Sequence, residues 1–201
     1  MSRLTFSILA CLICSALFQT SPPAAAQGKK AGGRQETLPS WVKVAPEGAG
    51  FSVLMPGSPK ETADSINYAA VKVPGLLYDA RVGEAVFFAG RFGDFPEQLV
   101  KEGYVDLLFE NAHKIFFESK RPDGTTDTLR YTVRDITRGG HAGREYNAEC
   151  GPHKKVDGPC GGVIRVFKSG AGIFVVGFAG PKSILTEELT GKFLSSFALT
   201  N

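Results

Sequence analysis

The sequence predicts an α+β domain in which helices pack on an antiparallel β-sheet. Short apolar runs recur between glycine and proline turns, as expected for strands joined by hairpins. Two segments, at 94–117 and 185–197, change to the spacing of three and four residues that is typical of amphipathic helices. Strands that follow one another through turns, with helices outside that run, favour this fold class.

The first half of the domain reads as strands. Phe51 to Pro56 is an apolar run closed by Pro-Gly, which predicts a strand that ends in a turn. Asn67 to Val73 and Leu76 to Val82 flank the turn dipeptide Pro74-Gly75, so we expect a hairpin with its turn there. Glu84 to Phe92 continues the strand pattern.

A helix is predicted next. Asp94 and Pro96 are residues that favour a helix start. From there to about Phe117, apolar residues recur on one side, at Val100, Tyr104, Leu108, Ala112 and Ile115. This spacing predicts one amphipathic helix with one buried stripe.

Strand patterns return in the second half and end in another helix. Leu129 to Ile136 alternates polar residues with apolar ones, which predicts one buried face formed by Leu129, Tyr131 and Val133. A glycine turn and a returning strand follow. Gly162 to Lys168 and Gly172 to Phe178 form a further hairpin. The last helix has an apolar side made of Leu185, Leu189, Phe193 and Phe197.

The N-terminus indicates export. Arg3 precedes an apolar run from Leu4 to Phe18, and Ala24-Ala25-Ala26 follows it. This is the pattern of a signal peptide, so we expect cleavage after Ala26 and a periplasmic or extracellular protein with no transmembrane segment in its mature chain. The alternative is a lipoprotein anchored at Cys11, whose surroundings resemble a lipoprotein box.

Three parts therefore make up the chain. Residues 1–26 are the predicted signal peptide, and residues 27–40, rich in Gly, Lys and Gln, read as a flexible linker. A single α+β domain is expected over residues 41–201, beginning with Trp41. The formal net charge of +3 is only weakly basic and does not favour a nucleic-acid partner, which would need a clustered basic face, so nucleic acid is not an expected partner.

The stretch CGPHKKVDGPCGG is the most chemically loaded one. It contains Cys150 and Cys160, the pair of cysteines that remains after the predicted cleavage, and an exported chain with an even cysteine count favours a disulfide. A zinc site formed by Cys150, His153, Cys160 and His141 is an alternative, although no second ligand pair of the usual spacing is present. A labile redox bond is the other alternative.

The same loop carries a possible recognition surface. His153, Lys154 and Lys155 occupy its expected tip, and a basic loop closed at its base can present side chains to a partner. A solvated turn is the simpler interpretation.

Catalytic signals are weak. Glu110 and His113 are spaced like an acid–base pair, but such neighbours are usually an exposed helix face. No phosphate loop, dinucleotide motif or nucleophile elbow is present, so we expect no cofactor and a non-enzymatic role. The fifteen phenylalanines indicate a core, or a groove for an apolar ligand, that involves Phe87, Phe88, Phe92, Phe95, Phe116 and Phe117.

Three motifs carry a family resemblance. Trp41, then GFSVLMPGSP from Gly50 to Pro59, and finally KFLSSFAL from Lys192 to Leu199 resemble a group of uncharacterised exported bacterial domains. Their mid-chain hairpin is similar to GGHAGREY of this chain. The resemblance implies a PsbP-like α/β/α sandwich and carries no functional residue with it.

These observations together predict an exported, non-catalytic binding or accessory domain of the bacterial cell envelope. Its partner would be a protein or a small apolar ligand. The alternative is an envelope metal-binding or thiol-redox protein that uses the Cys150–Cys160 loop.

Overall fold

The computed structural model describes residues 39–68, 71–120, 126–128, 130–150, 159–170 and 172–200. The predicted signal peptide, its cleavage site after Ala26, the alternative anchor at Cys11 and nearly all of the linker lie outside these residues. The first described element begins at Trp41.

Twelve strands and four helices are described. The strands are β1 Trp41–Val44, β2 Phe51–Pro56, β3 Lys60–Tyr68, β4 Val71–Val82, β5 Ala85–Phe92, β6 Glu118–Lys120, β7 Thr126–Thr128, β8 Arg130–Arg138, β9 His141–Cys150, β10 Cys160–Ser169, β11 Gly172–Pro181 and β12 Ala198–Leu199. The helices are α1 Glu97–Lys101, α2 Tyr104–Glu110, α3 Ala112–Phe117 and α4 Glu187–Ser196.

A seven-stranded antiparallel sheet, in the order β3-β4-β5-β11-β10-β9-β8, forms the centre of the molecule. Side chains of α2 and α3 pack with one face of this sheet. The other face packs with α4 and with a small sheet in the order β1-β2-β12. The predicted α+β class is confirmed, and the layers form an α/β/α sandwich.

Strand β5 explains the phenylalanine content. Phe88 belongs to the core under α2 and α3, whereas Phe87 belongs to the core under α4. Consecutive residues of a strand point to opposite faces, so one Phe-Phe pair supplies both cores. Phe92, Phe95 and Phe117 are also buried. These five residues therefore belong to the core, as the core interpretation predicts; the side chain of Phe116 lies outside the described part.

The prediction of one helix over 94–117 was wrong in its continuity. Gly103 adopts a φ of 78°, a left-handed conformation that ends α1, and a further break at Asn111 separates α2 from α3. The predicted stripe is buried at Leu108 and Ala112, each only 1% exposed, and partly exposed at Val100 and Tyr104.

The predicted turn at Pro74-Gly75 was also wrong, because β4 passes straight through it. Tyr68 pairs with Val71, so the β3–β4 ladder reaches these residues on the N-terminal side of Pro74-Gly75. Gly75 pairs with Phe92 at the end of the β4–β5 ladder, and a Cβ at Gly75 would lie 2.5 Å from the Phe92 ring. The glycine is therefore required for close packing within a strand rather than for a turn.

The two later hairpins are confirmed. Strands β8 and β9 are joined by Gly139 and Gly140, whose φ values of 56° and 82° fit a two-residue turn of the type that matches strand twist. Strands β10 and β11 pair from Ser169 and Gly172 outwards.

The final helix is confirmed as well. The Thr186 side chain accepts a hydrogen bond from the Leu189 amide at 3.3 Å and so caps the start of α4. Phe193 and Phe197 are fully buried against the sheet.

Strand β8 departs from its predicted pattern. It is an edge strand, and Val133, which we expected on a buried face, is 53% exposed. No other part of β8 is buried either. Alternation therefore predicted the strand correctly but not its environment.

In the described ranges, no helix has both the length and the apolar character needed to span a membrane.

Candidate functional site: a charged face of the central sheet

One face of the central sheet changes character along its width. Over β5 and β11 it is covered by α4 and the small sheet. Over β8, β9 and β10 it carries charged residues instead. We call these residues, with the lysine that follows β11, the charged face: Arg130, Arg134, Arg138, Glu145, Glu149, Arg165 and Lys182.

The register of the strands brings the centre of this face together. Arg134 of β8 lies directly opposite Glu145 of β9, and Glu145 lies directly opposite Arg165 of β10. Directly opposite residues of antiparallel strands point to the same face, so the three side chains form a row across the sheet. Phe167, two residues after Arg165, belongs to the core under α4, which identifies the face.

Glu145 is the centre of the row and is only 4% exposed. Its Oε2 accepts a hydrogen bond from Arg165 Nε at 2.7 Å, and its Oε1 accepts one from Arg134 Nε at 2.8 Å. Arg134 Nη2 lies 2.7 Å from the same Oε1, and Asn147 donates to it at 3.2 Å. Both carboxylate oxygens are therefore paired, as a buried charge requires.

Burial raises the pKa of Glu145, but this effect is outweighed. The hydrogen bonds from Arg165 and Asn147 and the positive charges of Arg165 and Arg134 all favour the ionised carboxylate, so its pKa lies below the ordinary value of 4.5. Glu145 is consequently a fixed anion at neutral pH and does not act as a proton donor.

Arg138 connects the edge strand to α4. Its Nη1 donates to the carbonyl oxygen of Leu194 at 3.3 Å, and its Nη2 donates to that of Ser195. The last carbonyls of a helix lack partners within the helix and carry partial negative charge, so a guanidinium is well suited to this position. Burial, and then the positive charge of Arg165, lower the pKa of Arg138.

The face as a whole is cationic. It holds five basic side chains and two carboxylates. The negative charge at its centre is buried, whereas the Arg134 side chain above it is 66% exposed. Carboxylates of a partner would meet guanidinium groups whose positions are already held by hydrogen bonds, and this pairing is geometrically favourable.

The predicted cysteine loop leaves the sheet beside this face. Cys150 and Cys160 are directly opposite each other at the ends of β9 and β10, and Cys160 is 6% exposed. The backbone amide of Lys182 donates to the Pro159 carbonyl at 2.9 Å, and Lys182 Nζ lies 3.0 Å from Glu149 Oε1. The base of the loop is thus tied to the charged face.

The possible recognition residues His153, Lys154 and Lys155 lie outside the described residues.

The metal alternative loses one of its four ligands. His141 starts β9 and Cys150 ends it, so nine strand steps of about 3.3 Å separate them by roughly 30 Å. His141 therefore cannot share an ion with either cysteine. In the part of the chain that the structure describes, no three His, Cys, Asp or Glu residues are grouped so as to hold a metal ion.

The candidate acid–base pair on the helices is not a pair. The Glu110 carboxylate binds Arg144 at 2.7 Å, while His113 Nδ1 lies 3.2 Å from the backbone carbonyl of Glu110. The Arg144 guanidinium also stacks over the Phe109 ring at 5.0 Å. The contacts of Arg144 therefore hold α2 against β9 and are structural.

Comparison with known proteins adds the following. No family model matches the chain. None of the curated proteins matches it. Among solved structures it is similar to the solution structure of cyanobacterial PsbP (CyanoP) from Synechocystis sp. PCC 6803, with a TM-score of 0.46 and 10% identity, over 85% of this chain and 98% of that one. It is also similar to the crystal structure of PA94 from Pseudomonas aeruginosa, a protein of unknown function, with a TM-score of 0.36 and 13% identity, over 76% of this chain and 91% of that one.

The charged face was not predicted from the sequence, although one signal for it was present. Arg130, Arg134 and Arg138 recur every four residues in a predicted strand, and a period of two puts them on one face. What the pattern does not contain is the pairing with Glu145 and Arg165, which depends on the strand order of the sheet.

Proposed function

We propose that this protein is an exported, non-catalytic binding domain of the bacterial envelope that binds an acidic protein partner through the charged face and the adjoining cysteine loop. The observation that carries the proposal is the arrangement of Arg134, which is exposed, above Glu145, which is buried. Such an arrangement presents positive charge to solvent while holding its side chains in place. The predicted signal peptide and the lack of catalytic motifs agree with this role.

A disulfide between Cys150 and Cys160 is part of the proposal. Directly opposite residues of antiparallel strands have Cα atoms about 4.5–5.5 Å apart, and disulfides need about 4.4–6.8 Å. The bond would close the loop whose sequence contains Lys154 and Lys155. The intact mass of protein purified from an oxidising compartment tests it: a mass two hydrogens below that of the reduced chain supports the bond, and two free thiols contradict it.

The same mass measurement tests export. A chain that begins at Gln27 supports cleavage after Ala26, and a lipidated chain that begins at Cys11 supports the alternative anchor. An uncleaved chain that begins at Met1 would overturn the proposal of export.

Binding is tested with charge reversal on matched surfaces. The probe is polyglutamate, whose binding to the mature protein is measured by fluorescence anisotropy at several salt concentrations. We expect Arg134→Glu to weaken binding about tenfold or more, because it replaces attraction by repulsion. Lys72→Glu, at an exposed lysine on β4 in the other half of the sheet, is the control. Equal loss in both variants would mean that only net charge matters and would contradict a dedicated face.

The second candidate is a metal-binding or thiol-redox protein that uses Cys150, His153 and Cys160. The observation that favours it is the pairing of the two cysteines at the open end of two strands. It predicts two free thiols with one bound metal ion, or a disulfide that is reduced under mild conditions. A stable disulfide and no adduct in the native mass would exclude it.

A further inference from the structure

Among the described strands, β8 forms the edge of the sheet beside the charged face. Within the described part of the chain, β9 is the only strand that pairs with β8. The β8–β9 register runs from Arg130 to Arg138 with no bulge, and β8 contains no proline. Val133, at the middle of the strand, is more than half exposed. Edge strands are usually protected by bulges, prolines or charged side chains; β8 has only the charged side chains, and a charged edge can still pair with a segment of complementary charge.

The turn at Gly139-Gly140 determines which backbone groups of β8 face outwards. A two-residue turn makes Arg138 and His141 a hydrogen-bonded pair. Hydrogen-bonded and non-bonded pairs alternate along an antiparallel ladder. The even-numbered residues of β8 therefore bond to β9, whereas the backbone N–H and C=O groups of the odd-numbered ones point to the open edge: Tyr131, Val133, Asp135 and Thr137.

The two faces of β8 specify what could pair with it. On the charged face lie Arg130, Arg134 and Arg138. On the opposite face Val133 is exposed, Tyr131 stacks on Phe117 with ring centroids 4.7 Å apart, and the polar residues Asp135 and Thr137 follow towards the turn. An added strand would place alternate residues beside the arginines and the remaining ones beside this face, whose first half, at Tyr131 and Val133, is apolar.

Charge selects the occupant. A second copy of the chain, added antiparallel about a two-fold axis normal to the sheet, would put its own arginine row on the same face, where like charges repel. The linker of this chain is also basic, with Lys29, Lys30 and Arg34. A partner segment with acidic residues at alternate positions would be attracted to the arginines of β8, whereas a second copy or the basic linker would be repelled by them.

We propose that β8 is a docking edge on which an extended segment of the partner protein, acidic on one side and apolar on the other, adds a strand to the sheet. This inference rests on the proposed function, since it names how the acidic partner binds the charged face. Main-chain hydrogen bonds to the four outward-facing residues hold the segment, and the arginines select its side chains.

The test uses two short acetylated peptides of the same composition. In one, Glu and Val alternate; in the other, they are grouped in two blocks, which cannot place all carboxylates on one face. We expect the alternating peptide to bind at least about tenfold more tightly, a difference of about 1.4 kcal/mol.

Amide hydrogen exchange of the wild-type protein is measured with each peptide. Protection should increase at Tyr131, Val133, Asp135 and Thr137, whereas the even-numbered amides are already protected in the free protein.

Two variants separate the inference from the function on which it rests. Val133→Pro removes one outward N–H without removing a bond to β9, and Val133→Thr keeps that N–H as its control. We expect only the proline variant to weaken binding of the alternating peptide, by about tenfold.

If Arg134→Glu abolishes binding while the odd-numbered amides gain no protection, the charged face binds acidic chains but β8 is not the docking edge. If neither Arg134→Glu nor Val133→Pro has an effect, both proposals are wrong. The exchange measurement needs only the wild-type protein, so it decides the question even if the proline variant does not fold.

Discussion

Strands β5 and β8 belong to the same sheet and end in opposite environments. In β5 every residue is buried except Arg91, which is partly exposed. In β8 no residue is buried. Strand β5 lies between β4 and β11 and is covered on both faces, whereas β8 has a neighbour on one side alone among the described strands. Position in the sheet, rather than strand pattern, decides whether a residue stabilises the core or is free to bind.

The difference predicts a steep gradient in the effect of substitutions across the sheet. The largest effect is expected at Phe87, which is fully buried and contacts the rings of Phe178 and Phe193 at centroid distances of 5.8 and 5.2 Å. Phe87→Ala should lower the free energy of unfolding by about 3–5 kcal/mol, because it leaves a cavity between α4 and the sheet. Urea unfolding followed by circular dichroism measures it. A loss below about 1 kcal/mol would mean that the core under α4 is not closely packed.

A smaller effect on the free energy of unfolding is expected at Glu145, the buried residue at the centre of the charged face. Glu145→Gln removes the charge that Arg134 and Arg165 share, and it should cost about 1–3 kcal/mol. The control is Glu149→Gln, whose exposed pair with Lys182 should contribute less than about 1 kcal/mol. Equal losses in the two variants would show that burial adds nothing to the central pair.

The pH dependence of the Glu145 effect follows from its lowered pKa. Because the folded pKa lies below the unfolded one, the ionised carboxylate stabilises the fold above the unfolded value, near 4.5, and this contribution is lost as the pH falls through the folded pKa. The stability difference between wild type and Glu145→Gln should therefore be largest at neutral pH and decrease in acid. Chemical unfolding at a series of pH values measures it, and a difference that grows in acid would reverse the sign we assign.

Substitution of Arg138 tests whether the edge strand β8 contributes to holding α4 on the sheet. Arg138→Ala removes two hydrogen bonds to carbonyls at the end of α4 and should cost about 1–2 kcal/mol. Arg130→Ala, at an exposed position of the same strand, should change stability by less than about 0.5 kcal/mol. Thermal unfolding compares them, and equal melting temperatures would mean that Arg138 does not hold α4 to the edge strand.

The smallest effect on stability is expected at the centre of the open edge. Val133→Thr should change the free energy of unfolding by no more than about 0.5 kcal/mol, since the side chain is largely in solvent and threonine suits a strand. A loss of 2 kcal/mol or more, about the size of a buried valine's contribution, would indicate that something in the folded chain covers β8.

Much of the fold was predictable from the sequence because it depends on local patterns. Glycines at 139 and 140 predicted the β8–β9 hairpin, and the spacing of Leu189 and Phe193 predicted α4. The errors arose where distant residues override a local signal. Pro74-Gly75 is a turn signal by itself, but Phe92 packs over Gly75 and keeps that stretch in a strand.

The candidate site was less predictable than the fold. Its arginines are visible as a row in β8, but the residue that organises them, Glu145, is separated from Arg165 by twenty positions. The cysteine loop was recognised from composition, and the register added that Cys150 and Cys160 lie opposite each other. Composition and register do not by themselves show that the base of the loop lies beside the charged face; the order of the strands in the sheet is also needed.

The sequence by itself determined the β8–β9 and β10–β11 hairpins and the amphipathic helix α4, because backbone geometry and side-chain periodicity act over a few residues. It also determined the fold class, since hairpin-joined strands with separate helices favour layers around one sheet. Only the tertiary structure decided that β5 lies inside and β8 at the edge. It likewise decided that Arg134, Glu145 and Arg165 share one face. Sheet order depends on contacts between residues far apart in the chain, and no local pattern encodes those contacts.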